Sequence, residues 1–120
     1  MTAKKLIQNF YKSDAFINVS EMEPFLHPEF LLEWHSSTGF RKLSKDEVLA
    51  LTKEMNASYI RSKARIHTIL QEKNQVAVRY SHYVKTIENP REEMLLANFF
   101  VIWEVKDNLL YRCFQMSQVF

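Results

Sequence analysis

Tyr80 and His82, two side chains able to do proton or hydrogen-bond chemistry, lie two positions apart in the stretch from Val76 to Thr86. The residues of this stretch alternate with the period of a β-strand, and one face carries Val76, Val78, Tyr80, His82 and Val84. A buried polar group without a partner is costly, so polar tips on an inward face indicate a lined cavity. Imidazole titrates near neutral pH and a phenol can polarise a carbonyl, which makes His82 and Tyr80 the candidate catalytic residues.

Three helices are predicted in the N-terminal half of the chain. Thr2 is expected to cap the first, with an inner stripe of Leu6, Ile7 and Phe10. Two S-x-x-E capping boxes mark the others. Ser20 and Glu23 precede a short helix that ends at His27-Pro28, and Ser44 and Glu47 precede a longer helix with Val48, Leu51, Met55 and Tyr59 on one face.

Strands are predicted in the remainder. We expect one from Phe30 to His35, a turn from Ser36 to Gly39, and four antiparallel strands after Arg61. The first of the four directs Ala64, Ile66, Thr68 and Leu70 to one side, the second is the Tyr80 strand, and the others run over Leu95 to Val105 and Leu109 to about Gln118. Helices on one face of a curved sheet form an α+β arrangement, here as a single domain over residues 1–120.

Composition limits the classes of function. A chain of 120 residues with 47% hydrophobic and 25% charged residues is typical of one soluble globular domain. The net charge of +2 is spread along the chain, so nucleic acid is not expected as a partner. No window approaches the roughly 20 apolar residues of a membrane span, and the start lacks the apolar run of a signal peptide. The single Cys113 cannot form an intrachain disulfide, so we expect a cytoplasmic protein.

A metal site and a reactive thiol are the weaker interpretations. Glu33, His35 and His82 lack ligand-like spacing, and His35 alternates onto the face opposite Trp34. Cys113 has no identifiable base on its own face, so an inert buried thiol is expected. His27, before Pro28, is predicted to lie in a loop. We therefore expect no metal and no cofactor.

The order of elements resembles the SnoaL-like family of the nuclear transport factor 2-like superfamily over nearly the full chain. The segments that carry the resemblance are Asn9 to Tyr11, Phe25 to Phe30, Gln75 to Tyr80 and Phe99 to Asn108. The resemblance implies a cone-shaped, cystatin-like fold, in which a curved, mostly antiparallel sheet wraps N-terminal helices and the open end holds a small-molecule pocket. It implies no single reaction, because this fold carries isomerases, dehydratases, cyclases, epoxide hydrolases and non-catalytic binders.

The resemblance also implies which residues line the pocket. Trp34 matches the position of the carboxylate base in the steroid isomerases of this superfamily, and Val101 matches the position of their second acid. Both acids are missing from this chain. The expected lining consists of Trp34, Tyr59, Tyr80, His82, Val101, Trp103, Cys113, Gln115 and Ser117.

Three functions remain open. Missing carboxylates and an apolar lining favour a binder of a small apolar molecule that carries a carbonyl or hydroxyl group. An alternative is a cofactor-independent lyase, isomerase or cyclase that uses His82 and a tyrosine, and a further alternative is a protein-interaction domain. Because the strand from Leu95 to Val105 is apolar on both faces, we also predict a homodimer through the outer sheet face, at Phe100, Ile102, Phe114 and Met116.

Overall fold

A computed structural model describes residues 1–119 and contains three α-helices, a short 3₁₀ helix and six strands. The helices are α1 (Ala3–Lys12), α2 (Val19–Met22) and α3 (Lys45–Ser58), and the 3₁₀ helix covers Glu23–Phe25. The strands are β1 (Leu26–Ser36), β2 (Gly39–Ser44), β3 (Tyr59–Glu72), β4 (Gln75–Thr86), β5 (Met94–Lys106) and β6 (Leu109–Val119). Within residues 1–119, no helix has the length and apolar character needed to cross a membrane.

One curved, mixed sheet contains all six strands in the order β2-β1-β6-β5-β4-β3. Neighbouring strands are antiparallel except for β1 and β6, which are parallel. The helices pack inside the curve, where Ile7 and Phe10 of α1 are fully buried against the sheet. This is the predicted α+β arrangement of a mostly antiparallel sheet around N-terminal helices.

The predicted face of β4 is confirmed. Its inward residues Val76, Val78, Tyr80, His82 and Val84 are all buried. A tight turn joins β5 to β6, and its residues Asp107 and Asn108 both have positive φ, 54° and 59°. Two positive φ values in succession belong to the type I′ turn, which asparagine and aspartate tolerate well.

Two of the three predicted helix starts are confirmed. The hydroxyl of Thr2 accepts a hydrogen bond from the Lys5 amide at 3.1 Å. At α3 both halves of the capping box form: Ser44 Oγ accepts from the Glu47 amide, and Glu47 Oε1 accepts from the Ser44 amide. These hydrogen bonds hold the pKa of the Glu47 carboxyl below its usual value.

The capping box predicted at Ser20 and Glu23 is wrong. Asn18 caps α2, because its Oδ1 accepts from the Ser20 amide at 3.0 Å. The Ser20 hydroxyl donates to the same Oδ1 at 2.6 Å, and Glu23 begins the 3₁₀ helix. Asparagine is as good a cap as serine, so the helix begins after Asn18, the earlier of the two possible cap residues, rather than after Ser20.

β1 begins earlier than predicted and takes in His27 and Pro28, so the prediction of a loop at His27 is wrong. The ladder to β6 pairs Leu26 with Leu110 and resumes only at Leu31 with Arg112. Pro28 therefore lies in an irregular part of the pairing, where its missing N–H is tolerated. The sequence patterns also missed β2 altogether.

A bulge in β3 makes the predicted inward positions of Thr68 and Leu70 wrong. The ladder pairs Ile66 with Tyr80 and then Thr68 with Arg79, so His67 is an extra residue. Because an inserted residue reverses the alternation after it, Ile69 turns inward and Leu70 is 64% exposed. Tyr59 likewise is the first residue of β3 rather than part of α3.

We expect the capping box to set the stability of α3. Ser44→Ala removes the acceptor for the Glu47 amide and should lower the free energy of unfolding by about 1 kcal/mol. Urea denaturation measures this loss. Ser37→Ala, in the exposed turn between β1 and β2, is the matched control and should change stability by only a few tenths of a kcal/mol, about the size of a neutral surface substitution. Equal effects of the two substitutions would contradict the role given to the box.

Candidate functional site

A cavity of about 310 Å³ lies inside the curve of the sheet. Helices α1, α2 and α3 and strands β1, β2, β4, β5 and β6 contribute to its wall. Its lining side chains are mostly apolar and aromatic, with Phe10, Phe16, Met22, Leu26, Phe30, Leu32, Val48, Leu51, Met55 and Phe99 among them. Within residues 1–119, none of the residues that form this wall is an aspartate or a glutamate.

Seven of the nine expected lining residues lie together in this wall: Trp34, Tyr80, His82, Trp103, Cys113, Gln115 and Ser117. Tyr59 does not, since α3 ends at Ser58 and Tyr59 belongs to β3. Val101 is buried but is not part of the wall. The larger rings of Phe99 and Trp103, two residues before and two residues after Val101 on β5, do belong to the wall. Tyr59 and Val101 thus lie outside the wall of this cavity.

The wall also contains polar residues that the sequence patterns missed. Ser36, Thr38 and Arg41 lie around the β1–β2 turn and mark the mouth of the cavity. Within that turn region, the hydroxyls of Ser36 and Thr38 are 3.0 Å apart. The six residues of β2 are mostly polar and exposed. Their alternation of apolar and polar residues is too weak to predict a strand, so the sequence did not indicate that these positions line a cavity.

Aromatic rings form the floor. Phe10 makes edge contacts with Tyr11, Phe16, Phe25 and Trp103, each with ring centroids 5.3 Å apart. Tyr80 stacks in parallel on Phe99, with centroids 4.8 Å apart and an interplanar angle of 4°. Edge and stacked arrangements of this kind are favourable beyond the burial of area alone, so the floor is a closely packed aromatic surface.

The polar tips in this floor are paired. Trp103 Nε1 donates to the Tyr11 hydroxyl at 2.9 Å, and Trp34 Nε1 donates to the Ser117 hydroxyl at 2.8 Å. Burial raises the pKa of the Tyr11 and Tyr80 phenols above their ordinary value. Both phenols are therefore neutral at physiological pH and act only through hydrogen bonds.

His82 lies between apolar rings, 5.1 Å from the Phe16 ring and 6.1 Å from the Phe99 ring. Its Nε2 hydrogen-bonds the Ser62 hydroxyl of β3. Burial lowers the pKa of His82 from 6.5 to about 4, since the charged form loses its hydration. The imidazole in the cavity wall is thus neutral and weakly basic at pH 7.

The other residues weighed for metal or thiol chemistry lie apart. His35 faces outward against the Phe40 ring at 4.7 Å. His27 is buried, and its Nε2 lies 3.4 Å from the Asp107 carboxylate. Burial raises the pKa of the Cys113 thiol, which keeps it protonated. Among residues 1–119, no group of three or more His, Cys, Asp and Glu side chains could hold a metal ion.

The depressed pKa of His82 predicts how stability changes with pH. In the unfolded chain the imidazole regains a pKa near 6.5, so between about pH 6.5 and 4 the unfolded state binds more protons than the folded state. The free energy of unfolding should therefore fall as the pH is lowered through this window, by up to roughly 3 kcal/mol. Urea denaturation at pH 7, 5.5 and 4.5 measures it.

His82→Gln is the matched variant, because glutamine keeps a hydrogen-bonding group near Ser62 but does not titrate. Titration of the carboxylates is common to both proteins. The variant should lose less stability than the wild type between pH 7 and 4.5. If the free energies of unfolding of the two proteins fell in parallel with pH, His82 would not be buried as a neutral group.

No family model matches the sequence, and no curated protein matches it. Solved structures match the fold over nearly the whole chain. IdmH from Streptomyces antibioticus, described as a candidate polyketide cyclase, is similar with a TM-score of 0.75 at 14% identity, over 98% of this chain and 92% of its own.

Two further structures give the same result. A candidate SnoaL-like polyketide cyclase from Shewanella denitrificans has a TM-score of 0.74 at 7% identity, over 96% of this chain and 89% of its own. AusH from Aspergillus nidulans has a TM-score of 0.80 at 14% identity, over 96% of this chain and 82% of its own. The curved sheet, the enclosed helices and these likenesses together show that the chain shares the fold of these structures, in which a curved sheet surrounds N-terminal helices.

Proposed function

We propose that the protein binds a small apolar molecule with a carbonyl or hydroxyl group in the cavity inside the sheet. The observation that carries this proposal is the aromatic floor built on Phe10, Trp103 and the stacked pair of Tyr80 and Phe99. A volume of about 310 Å³ falls within the usual size of small-molecule sites. The tips of Tyr80, His82 and Gln115 supply the few polar groups that orient a ligand in such a site.

The charge state of the wall supports binding over catalysis. A general base works best when its pKa is close to the operating pH, whereas the pKa of His82 is about 4. No carboxylate among residues 1–119 lines the cavity to replace it. Conversion of a substrate by an isomerase, or by a cyclase as the description of IdmH suggests for that protein, would thus rest on a weak base and a neutral phenol.

Binding can be tested with 2-naphthalenemethanol, a flat apolar bicycle with one hydroxyl group. We expect saturable binding by isothermal titration calorimetry. Ala97 is buried in the cavity wall, so Ala97→Leu fills part of the space and should weaken the affinity about tenfold or more, the equivalent of about 1.4 kcal/mol.

Ala57→Leu is the matched control, since Ala57 is exposed on α3 and outside the wall. It makes the same chemical change and should leave the affinity unaltered. An absence of binding to the folded wild-type protein, or equal weakening by both substitutions, would count against the proposal.

The outer face of the sheet supports a second proposal, a homodimer. Phe100 pairs with Met116 and Ile102 with Phe114 across β5 and β6. These four side chains form a contiguous outward patch, and they are 65%, 61%, 46% and 37% exposed, respectively. A patch of this kind on a small monomer marks an interface, and a two-fold axis would place the same patch on both sides.

Phe100→Lys should therefore convert a dimer into a monomer, because each copy would bury a lysine charge in the interface. Sedimentation equilibrium at micromolar concentration measures the mass. Ile87→Lys changes an exposed apolar residue of the β4–β5 loop and should leave the dimer intact. A wild-type protein that sediments as a monomer would refute this proposal.

A further inference from the structure

A positively charged side chain, Arg41, lies at the mouth of the cavity, apart from the aromatic floor. Arg41 belongs to the cavity wall, and it is the only lysine or arginine among the lining residues within positions 1–119. Its place follows from the β1–β2 register, in which Arg41 pairs with Trp34 and Leu43 pairs with Leu32. Leu43 and Leu32 are both buried. Arg41, two residues before Leu43, therefore lies on the same inward face.

The Trp34 ring contacts this guanidinium at the rim. The centre of the guanidinium lies 5.7 Å from the centroid of the Trp34 ring, within the range of a cation–π contact. Trp34 is itself fixed by its hydrogen bond to Ser117 at 2.8 Å. The Arg41 side chain is thus exposed to solvent, and its guanidinium lies beside an aromatic part of the wall.

The guanidinium has no side-chain carboxylate partner among residues 1–119 within 4.0 Å. Glu47 is the acidic group whose pKa Arg41 lowers. The Glu47 carboxylate, however, accepts the Ser44 amide at 3.0 Å in the capping box. The five N–H donors of Arg41 therefore remain available to an acceptor that arrives from outside.

We propose that the ligand is an amphipathic monoanion, a flat apolar ring system with one carboxylate, whose ring occupies the aromatic floor and whose carboxylate pairs with Arg41. This inference rests on the proposed function, because it assigns the ligand class of the same cavity. Guanidinium and carboxylate match in a two-pronged geometry, and such charge-assisted hydrogen bonds are about twice as strong as neutral ones. Next to Arg41, the hydroxyls of Ser36 and Thr38 hydrogen-bond each other, so at most one of them adds a further donor at the mouth.

Three probes with one ring system separate the contributions of ring and charge. These are 2-naphthoate, neutral 2-naphthalenemethanol and the cation 2-naphthylmethylammonium, each titrated into the wild-type protein by calorimetry. We expect 2-naphthoate to bind about tenfold more tightly than the alcohol and the ammonium compound to bind most weakly. Raising the salt concentration should weaken the binding of naphthoate and leave that of the alcohol nearly unchanged.

Arg41→Gln removes the charge and keeps a polar side chain. It should reduce the affinity for naphthoate about tenfold and leave the affinity for the alcohol within about twofold. The matched control is Lys42→Gln, which makes the same change in net charge on the outward face, where Lys42 pairs with Glu33. This control should preserve the preference for naphthoate.

The outcomes distinguish the two proposals. If the alcohol binds but naphthoate binds no more tightly, or if Lys42→Gln and Arg41→Gln weaken naphthoate equally, the assignment of an anionic ligand is overturned while the apolar binding site stands. If none of the three probes binds the folded protein, both proposals fail. A loss of naphthoate preference confined to Arg41→Gln supports the anion site.

Discussion

The uninterrupted alternation of β4 is the constraint on which the rest of the structure depends. In the antiparallel ladders that join β3, β4, β5 and β6, four residues are extra. They are Ile60 and His67 in β3, Leu96 in β5 and Tyr111 in β6, and none of them lies in β4. Bulges bend the strand that carries them and increase its twist. These bends therefore lie in the strands around β4, and β4 itself stays regular. β4 keeps Tyr80 and His82 on the concave side. The bulge at Leu96 also explains why the adjacent residues Leu96 and Ala97 both line the cavity.

β5 and β6 serve two surfaces at once, and this explains their composition. Trp103 and Cys113 pair across the inner face and lie in the cavity wall. On the outer face Phe100 and Met116 are exposed. A strand that faces solvent on one side normally alternates between apolar and polar residues. The exposed apolar residues of the outer face depart from this rule, and the homodimer proposed above would account for them.

How far the sequence predicts this structure depends on how regular each element is. The faces of β4 and the capping box of α3 follow from local rules that nothing in the tertiary structure overrides. The bulge at His67 does not follow from local rules, because it depends on the pairing with the neighbouring strand. It reverses the inward and outward directions of all later residues of β3. Arg41 was missed for a third reason. Its inward direction comes from pairing with Trp34 in a short polar strand, and a single basic residue in such a strand gives no periodic signal.

The polarity of the cavity changes from floor to mouth, and the reason is the cost of burying charge. At the floor, burial keeps the Tyr80 phenol and the Cys113 thiol protonated and the His82 imidazole unprotonated, so three titratable groups are all neutral. A charged group of a ligand would lose its hydration there without an ionised partner. Only at the mouth, beside the exposed Arg41, can a charge keep part of its hydration and gain a partner. The anionic ligand proposed above would therefore bind in one orientation, with its ring inward and its charge at the rim.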